Sequence, residues 1–179
     1  ALGYAQYLPK EQYLYTKEQL LDSMCMTLGG RAAEQIVFGE VSTGAQNDLE
    51  RITKMAYAMV TVYGMDESIG NVSFNDQKRE YTFDKPYSDE TARIIDEEVR
   101  GLAEEAEKDC KKILTENIEE LHIVAKGLLE YETLTGEEIT DLIKGIKPSR
   151  EDFDDDSNSQ QSPTTSVPKT GNTAAPQVN

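Results

Sequence analysis

Residues 16–38 read TKEQLLDSMCMTLGGRAAEQIVF, and the phase of their apolar positions decides the fold class. Leu20, Leu21, Met24, Cys25 and Leu28 recur at helical spacing. Thr16, with Gln19 three positions later, makes a capping-box pattern at the head of that run. Gly29 and Gly30 oppose a helix, because glycine costs ~1 kcal/mol against alanine in a helix interior. Yet Ala32, Ala33, Ile36, Val37 and Phe38 keep the same phase beyond them. The expectation is one long helix that runs through the glycines.

Working outward, residues 1–15 alternate tyrosines with smaller or polar side chains at period two, and Pro9 closes the first run. That pattern predicts a short edge strand or hairpin. Downstream, Gly39, Ser42, Thr43 and Gly44 mark a loop, and a helix is expected from about Asn47 to Tyr63, stopped by Gly64. Its apolar face is Leu49, Ile52, Met55, Ala56, Met59 and Val60, with Glu50 and Lys54 paired on the solvent side. Residues 65–87 read as a loop with one extended piece. Ser88 caps a helix carrying Ile95, Val99, Leu102, Ala106 and Ile113, with acids in its first turns where the helix dipole favours them. Helices at about 117–130 and 135–146 complete a mainly α domain over residues 1–147. From residue 148 to 179 apolar residues nearly vanish and Asp, Ser, Gln, Thr and Pro dominate, so a disordered acidic and polar tail is expected.

The chain's 179 residues carry a formal net charge of −16. Residues 151–179 hold five acids against one base, which leaves −12 on residues 1–150. Such a surface repels phosphate backbones and anionic lipid, so no nucleic-acid partner is expected. No apolar run approaches the ~18–20 residues that span a bilayer. The opening Ala-Leu-Gly-Tyr lacks an initiator Met and reads as the edge of an excised segment. Cys25 and Cys110 stand far apart in the sequence without a Cys-x-x-Cys pattern. A reduced, cytosolic setting suits them, with a single disulfide as the alternative.

Three residues could carry chemistry. Asp48 begins the stripe 48, 52, 55, 59, so a carboxylate shares the apolar face of the second helix. A buried charge there must be paired, capped or bound to metal, and helix capping is the plain structural alternative. Glu34 interrupts the apolar stretch from Met24 to Phe38, with Arg31 three positions before it as an ion-pair partner. Gly29 and Gly30 would let another element come close to the backbone of that helix. His122 is the only histidine, so a two-histidine metal site cannot form within the chain. No phosphate-binding glycine loop and no Gly-x-Ser-x-Gly elbow is present. Residue chemistry by itself yields no complete active site.

Several stretches nevertheless converge. Residues 2–9 (LGYAQYLP), 28–34 (LGGRAAE), 42–49 (STGAQNDL), 88–92 (SDETA) and 95–99 (IDEEV) resemble, in order and spacing, the FtsH family of membrane-anchored, ATP-dependent AAA zinc metalloproteases. Residues 7–15 (YLPKEQYLY) are most similar to mitochondrial matrix-facing members and the bacterial relatives near them. The resemblance spans about residues 1–146 and implies the C-terminal part of a helical peptidase domain. It implies a parent homo-hexamer that draws in unfolded protein substrates using ATP and Mg in an AAA module. N-terminal helices would anchor it to the bacterial inner membrane with this domain in the cytoplasm, or to the mitochondrial inner membrane facing the matrix.

The family holds zinc through two histidines of a His-Glu-x-x-His helix, whose Glu is the general base, and through a distant Asp. By resemblance that Asp is Asp48. Glu34 matches the acid near the metal that orients a ligand, and Gly3, Tyr4, Ala5 and Gln6 fall on the family's substrate-binding edge strand. The His-Glu-x-x-His helix is expected upstream of Ala1, so the fragment alone is expected to be inactive. A non-catalytic helical scaffold or oligomerisation module is the alternative function.

Overall fold

A computed structural model describes residues 3–8, 11–74 and 86–149. Among them are five helices: α1 (Lys17–Phe38), α2 (Gln46–Thr61), α3 (Asp89–Glu116), α4 (Ile118–Tyr131) and α5 (Gly136–Ile143), with a 3-10 turn at Thr43–Ala45 before α2. The expected tail at 148–179 lies, past Ser149, outside the described residues.

The first helix does continue through Gly29 and Gly30. Thr16 starts it: its hydroxyl accepts from the Gln19 N–H at 3.2 Å, and the Gln19 side chain accepts from the Thr16 N–H at 3.0 Å. Gly39 ends it in the left-handed region, at φ 75°, donating its N–H to the Gln35 carbonyl. That backbone is open to glycine at little cost.

The core sits where α1, α2 and α3 meet. Met24, Leu28 and Ala32 come from α1; Ile52, Ala56, Met59 and Val60 come from α2; Ile95, Leu102, Ala106 and Cys110 come from α3. Apart from the adjacent Met59 and Val60, each set steps by three, four or seven, the spacing that keeps side chains on one helix face. Leu49, expected on that face, is instead 37% exposed and lies outside the core cluster.

Residues 65–74 and 86–88 return the chain from α2 to α3. The Asp66 carboxylate accepts from the Ser68 and Ile69 N–H groups at 3.0 and 3.2 Å, which satisfies a buried acid within its own turn. Phe74 donates its N–H to the Thr61 carbonyl and packs edge-on against Tyr87 at 5.1 Å between ring centroids. Tyr87 and Tyr57 hydrogen-bond through their hydroxyls. Burial, then that bond, pushes the Tyr57 hydroxyl up to about 12. Residues on either side of 75–85 are thus fastened to α2.

α4 and α5 form a hairpin beside this three-helix unit. Gly127 of α4 is buried, and a Cβ there would lie 2.7 Å from Leu142 Cδ1 and 3.2 Å from Leu134 Cδ1. Its missing side chain is what admits those leucines. Thr135 and Glu138 cap α5 reciprocally.

The expected edge strand does not form. Residues 3–8 and 11–16 pair with no strand among the described residues, and Tyr4 and Tyr13 are 89% and 91% exposed. Alternating tyrosines favour extended backbone, but a strand needs a neighbour to bond its N–H and C=O groups, and no other described segment supplies one. The extended piece expected in 65–87 is likewise absent from the residues described there.

Candidate functional site

A cleft of about 490 Å³ opens between the C-terminal half of α1, the start of α2 and α4. Its walls are largely apolar, from Ala33, Val37, Phe38 and Leu121, and four titratable groups line it: Arg31, Glu34, Asp48 and His122. The fold therefore gathers into one cavity both acids singled out from the sequence, together with the one histidine.

Asp48 lies in the first turn of α2 and is half-buried. It does not cap the helix: the capping position is Ala45, and no side chain bonds there. Ser42 does that work one turn earlier, its hydroxyl accepting from the Gly44 N–H at 3.3 Å to start the 3-10 turn that feeds α2. Among the described residues the Asp48 carboxylate has no hydrogen bond and no ion pair, and none of its side-chain atoms is buried enough to be orphaned. It stands at the N-terminal, positive end of the α2 dipole. What it offers is one anionic oxygen donor facing a cavity.

Glu34 lies near the end of α1. It does not pair with Arg31 within 4.0 Å; its carboxylate accepts from the Ser42 N–H at 3.0 Å instead. The Ser42 hydroxyl and N–H, and then the Arg31 charge, hold the Glu34 carboxyl below the ordinary carboxylate value. Glu34 thereby fixes the turn between α1 and α2.

His122 is exposed at the rim. Among the described residues no three His, Cys, Asp or Glu side chains converge closely enough to hold a metal ion. One carboxylate is fewer than the three protein ligands a catalytic zinc takes, so the described residues alone do not complete a zinc site. Gly3, Tyr4, Ala5 and Gln6 do not line the cleft; they are exposed. The sequence reading missed Ser42 and the place of His122. Ser42 before Thr43-Gly44 carries a recognisable hydroxyl-turn signature, whereas the position of His122 depends on how α4 docks.

Peptidase family M41 matches residues 1–142. The chain is 57% identical over 151 residues to "ATP-dependent zinc metalloprotease FtsH" of Rhodothermus marinus, covering 83% of this chain and 22% of that protein. It is 51% identical over 151 residues to "Mitochondrial inner membrane m-AAA protease component AFG3L2" of Mus musculus, covering 84% and 19%. It is 42% identical over 188 residues to "ATP-dependent zinc metalloprotease FTSH 8, mitochondrial" of Oryza sativa, covering 99% and 23%. The chain thus spans about a fifth of the length of these relatives. With that family match over most of its residues and half-identity to bacterial and mitochondrial members, the chain belongs to peptidase family M41, in the FtsH family of metalloproteases.

Proposed function

We propose that this chain is the C-terminal part of the peptidase domain of an ATP-dependent zinc endopeptidase, and that Asp48 is its contribution to the zinc. The observation that carries this reading is the Asp48 carboxylate, half-buried on the cleft wall and without a hydrogen bond or ion pair among the described residues. A solvent-accessible carboxylate that faces the cleft with no internal partner is free to meet a cation there. The two histidine ligands and the general-base Glu belong to a His-Glu-x-x-His helix outside these 179 residues. Zinc, when bound, lowers the pKa of its water toward ~7 and polarises the scissile carbonyl.

This chain's own residues do the rest. Asp48 supplies an anionic oxygen. Glu34 fixes the Ser42 turn and so the orientation from which Asp48 reaches the cleft. The backbone of Gly3–Gln6, exposed and unpaired among the described residues, takes an unfolded substrate chain by strand addition, which reads backbone and tolerates varied side chains. The parent is a homo-hexamer fed by an AAA module that uses ATP and Mg. It is anchored in the bacterial inner membrane with this domain cytoplasmic, or in the mitochondrial inner membrane on the matrix side. No helix among the described residues is long and apolar enough to cross a membrane. Membrane anchoring therefore falls to other segments. A helical oligomerisation role is favoured by Leu129, 86% exposed on α4, and it is compatible with the ring.

Asp48→Asn in the full-length protein tests the assignment. The amide keeps size and removes the anionic donor. Zinc content and casein proteolysis should fall together, by more than the ~10–100-fold that outer-shell changes produce, while ATP hydrolysis persists. Glu50→Gln, which removes only an exposed pair with Lys54 at 2.6 Å, should change neither. An Asp48→Asn protein that keeps its zinc and its proteolysis rules the ligand role out.

A further inference from the structure

Cys25 and Cys110, remote in sequence, meet across the α1–α3 interface: Cys25 packs against the core cluster that holds Cys110 and shares a cleft wall with Ala106, Asp109 and Ile113, the α3 residues on either side of Cys110. Both are free. Cys110 is buried in the core, and Cys25 packs against it, half-exposed. Cys25 also opens onto a surface cleft of about 280 Å³ whose other lining residues include Asp22, Asp109, Lys112 and Glu116. One thiol is thus reachable from solvent and lies beside a second that is not. That arrangement differs from a lone buried cysteine, because the product of oxidising the first thiol has a resolving partner at hand.

We propose that Cys25 and Cys110 are a reversible oxidation site, forming an intrachain disulfide that fastens α1 to α3 when the protein meets hydrogen peroxide. The Cys25 sulfur attacks one peroxide oxygen, the O–O bond breaks, and the thiol proton leaves with the departing oxygen as water. Cys25 is then a sulfenic acid. The Cys110 sulfur attacks the Cys25 sulfur, an S–S bond forms, the S–O bond breaks, and a second water departs. Two thiols have lost two electrons to one peroxide. The acids Asp22, Asp109 and Glu116 around the entrance disfavour an anionic oxidant such as a glutathione-type disulfide, whereas neutral peroxide enters freely. Burial raises both thiols above their ordinary value, so both stay protonated at neutral pH and the reaction is slow. The site responds to sustained peroxide. Its effect is on the framework of the cleft, since α1 also carries Glu34.

The test treats the full-length protein with hydrogen peroxide and counts alkylatable thiols at these positions before and after. The two should fall to none, and a non-reducing tryptic map should link peptide 18–31 to peptide 109–111. Dithiothreitol should restore both thiols. The thermal midpoint of this domain should rise on oxidation and return on reduction. Cys25→Ser, a change at a half-exposed position, should abolish both the link and the rise. If both thiols stay alkylatable, if Cys25 goes only to higher oxides, or if only links between chains form, the site is not a dithiol pair. The mapping is read on the unsubstituted protein, so it does not depend on how well a Cys110→Ser variant folds.

Discussion

At the scale of the residue, Glu34 makes the clearest case. Arg31, three positions earlier on the same helix, would pair with it by spacing alone. The Ser42 N–H, brought back by the turn after Gly39, wins instead at 3.0 Å. A backbone N–H held by a turn presents its donor without ordering a long side chain, whereas an exposed Arg–Glu pair gains little. The consequence for pH has a definite sign. The Glu34 carboxyl is held below its ordinary 4.5, chiefly by its hydrogen bonds from Ser42. A depressed folded-state value means this bond stabilises fully above the ordinary value and is lost as pH falls through the lowered one. The Ser42 amide resonance should therefore follow a titration with its midpoint below 4.5. In a Glu34→Gln protein that titration should vanish. A Ser42 resonance that does not move in acid, or moves equally in both proteins, would break the link.

At the scale of the element, α1 sets the question of why a long helix keeps two adjacent glycines. No described atom outside the helix lies within 4 Å of a Cβ built at either Gly29 or Gly30, so no close approach inside this chain requires them. Gly29→Ala and Gly30→Ala should each raise the stability of the 179-residue chain by about 0.5–1 kcal/mol, measured by urea unfolding. The two positions part company at the cleft, which Gly30 lines and Gly29 does not. In the full-length protein, Gly30→Ala should lower proteolysis and Gly29→Ala should not. Equal activity in both variants would show that the open backbone at Gly30 serves nothing at the site. The N-terminal run shows the opposite relation between element and sequence. There the alternation of tyrosines is real, but a strand is a property of two segments, and its partner is not among the described residues.

At the scale of the whole molecule, stability is unevenly spread. Fully buried Met24, Met59, Val60 and Ile95 lie in the α1–α2–α3 unit, while α4 buries only Gly127 and α5 buries no residue. Opening the α4–α5 hairpin exposes little apolar surface, so it should cost less than unfolding the core. In native-state hydrogen exchange of the 179-residue chain, amides of α4 and α5 should exchange through a separate, lower-energy opening. Core amides of α1, α2 and α3 should exchange only with global unfolding. A single opening free energy across all five helices would refute the division.

The sequence by itself determined the helices, because each depends on interactions within about four residues: the 3.6 period, the Thr16–Gln19 box, the Ser88 cap and the stop at Gly39. It also carried the family resemblance, and with it Asp48 and Glu34. Only the tertiary structure decided what those acids touch. That Asp48 is unbonded among the described residues and Ser42 does the capping, that Glu34 turns from Arg31 to Ser42, that His122 reaches the same cleft, and that Cys25 packs at the core that holds Cys110 all depend on helices distant in the chain docking together. Local spacing fixes which face a side chain occupies. It carries no information about which other element that face will meet, since docking is set by the summed burial of a core drawn from three separate helices.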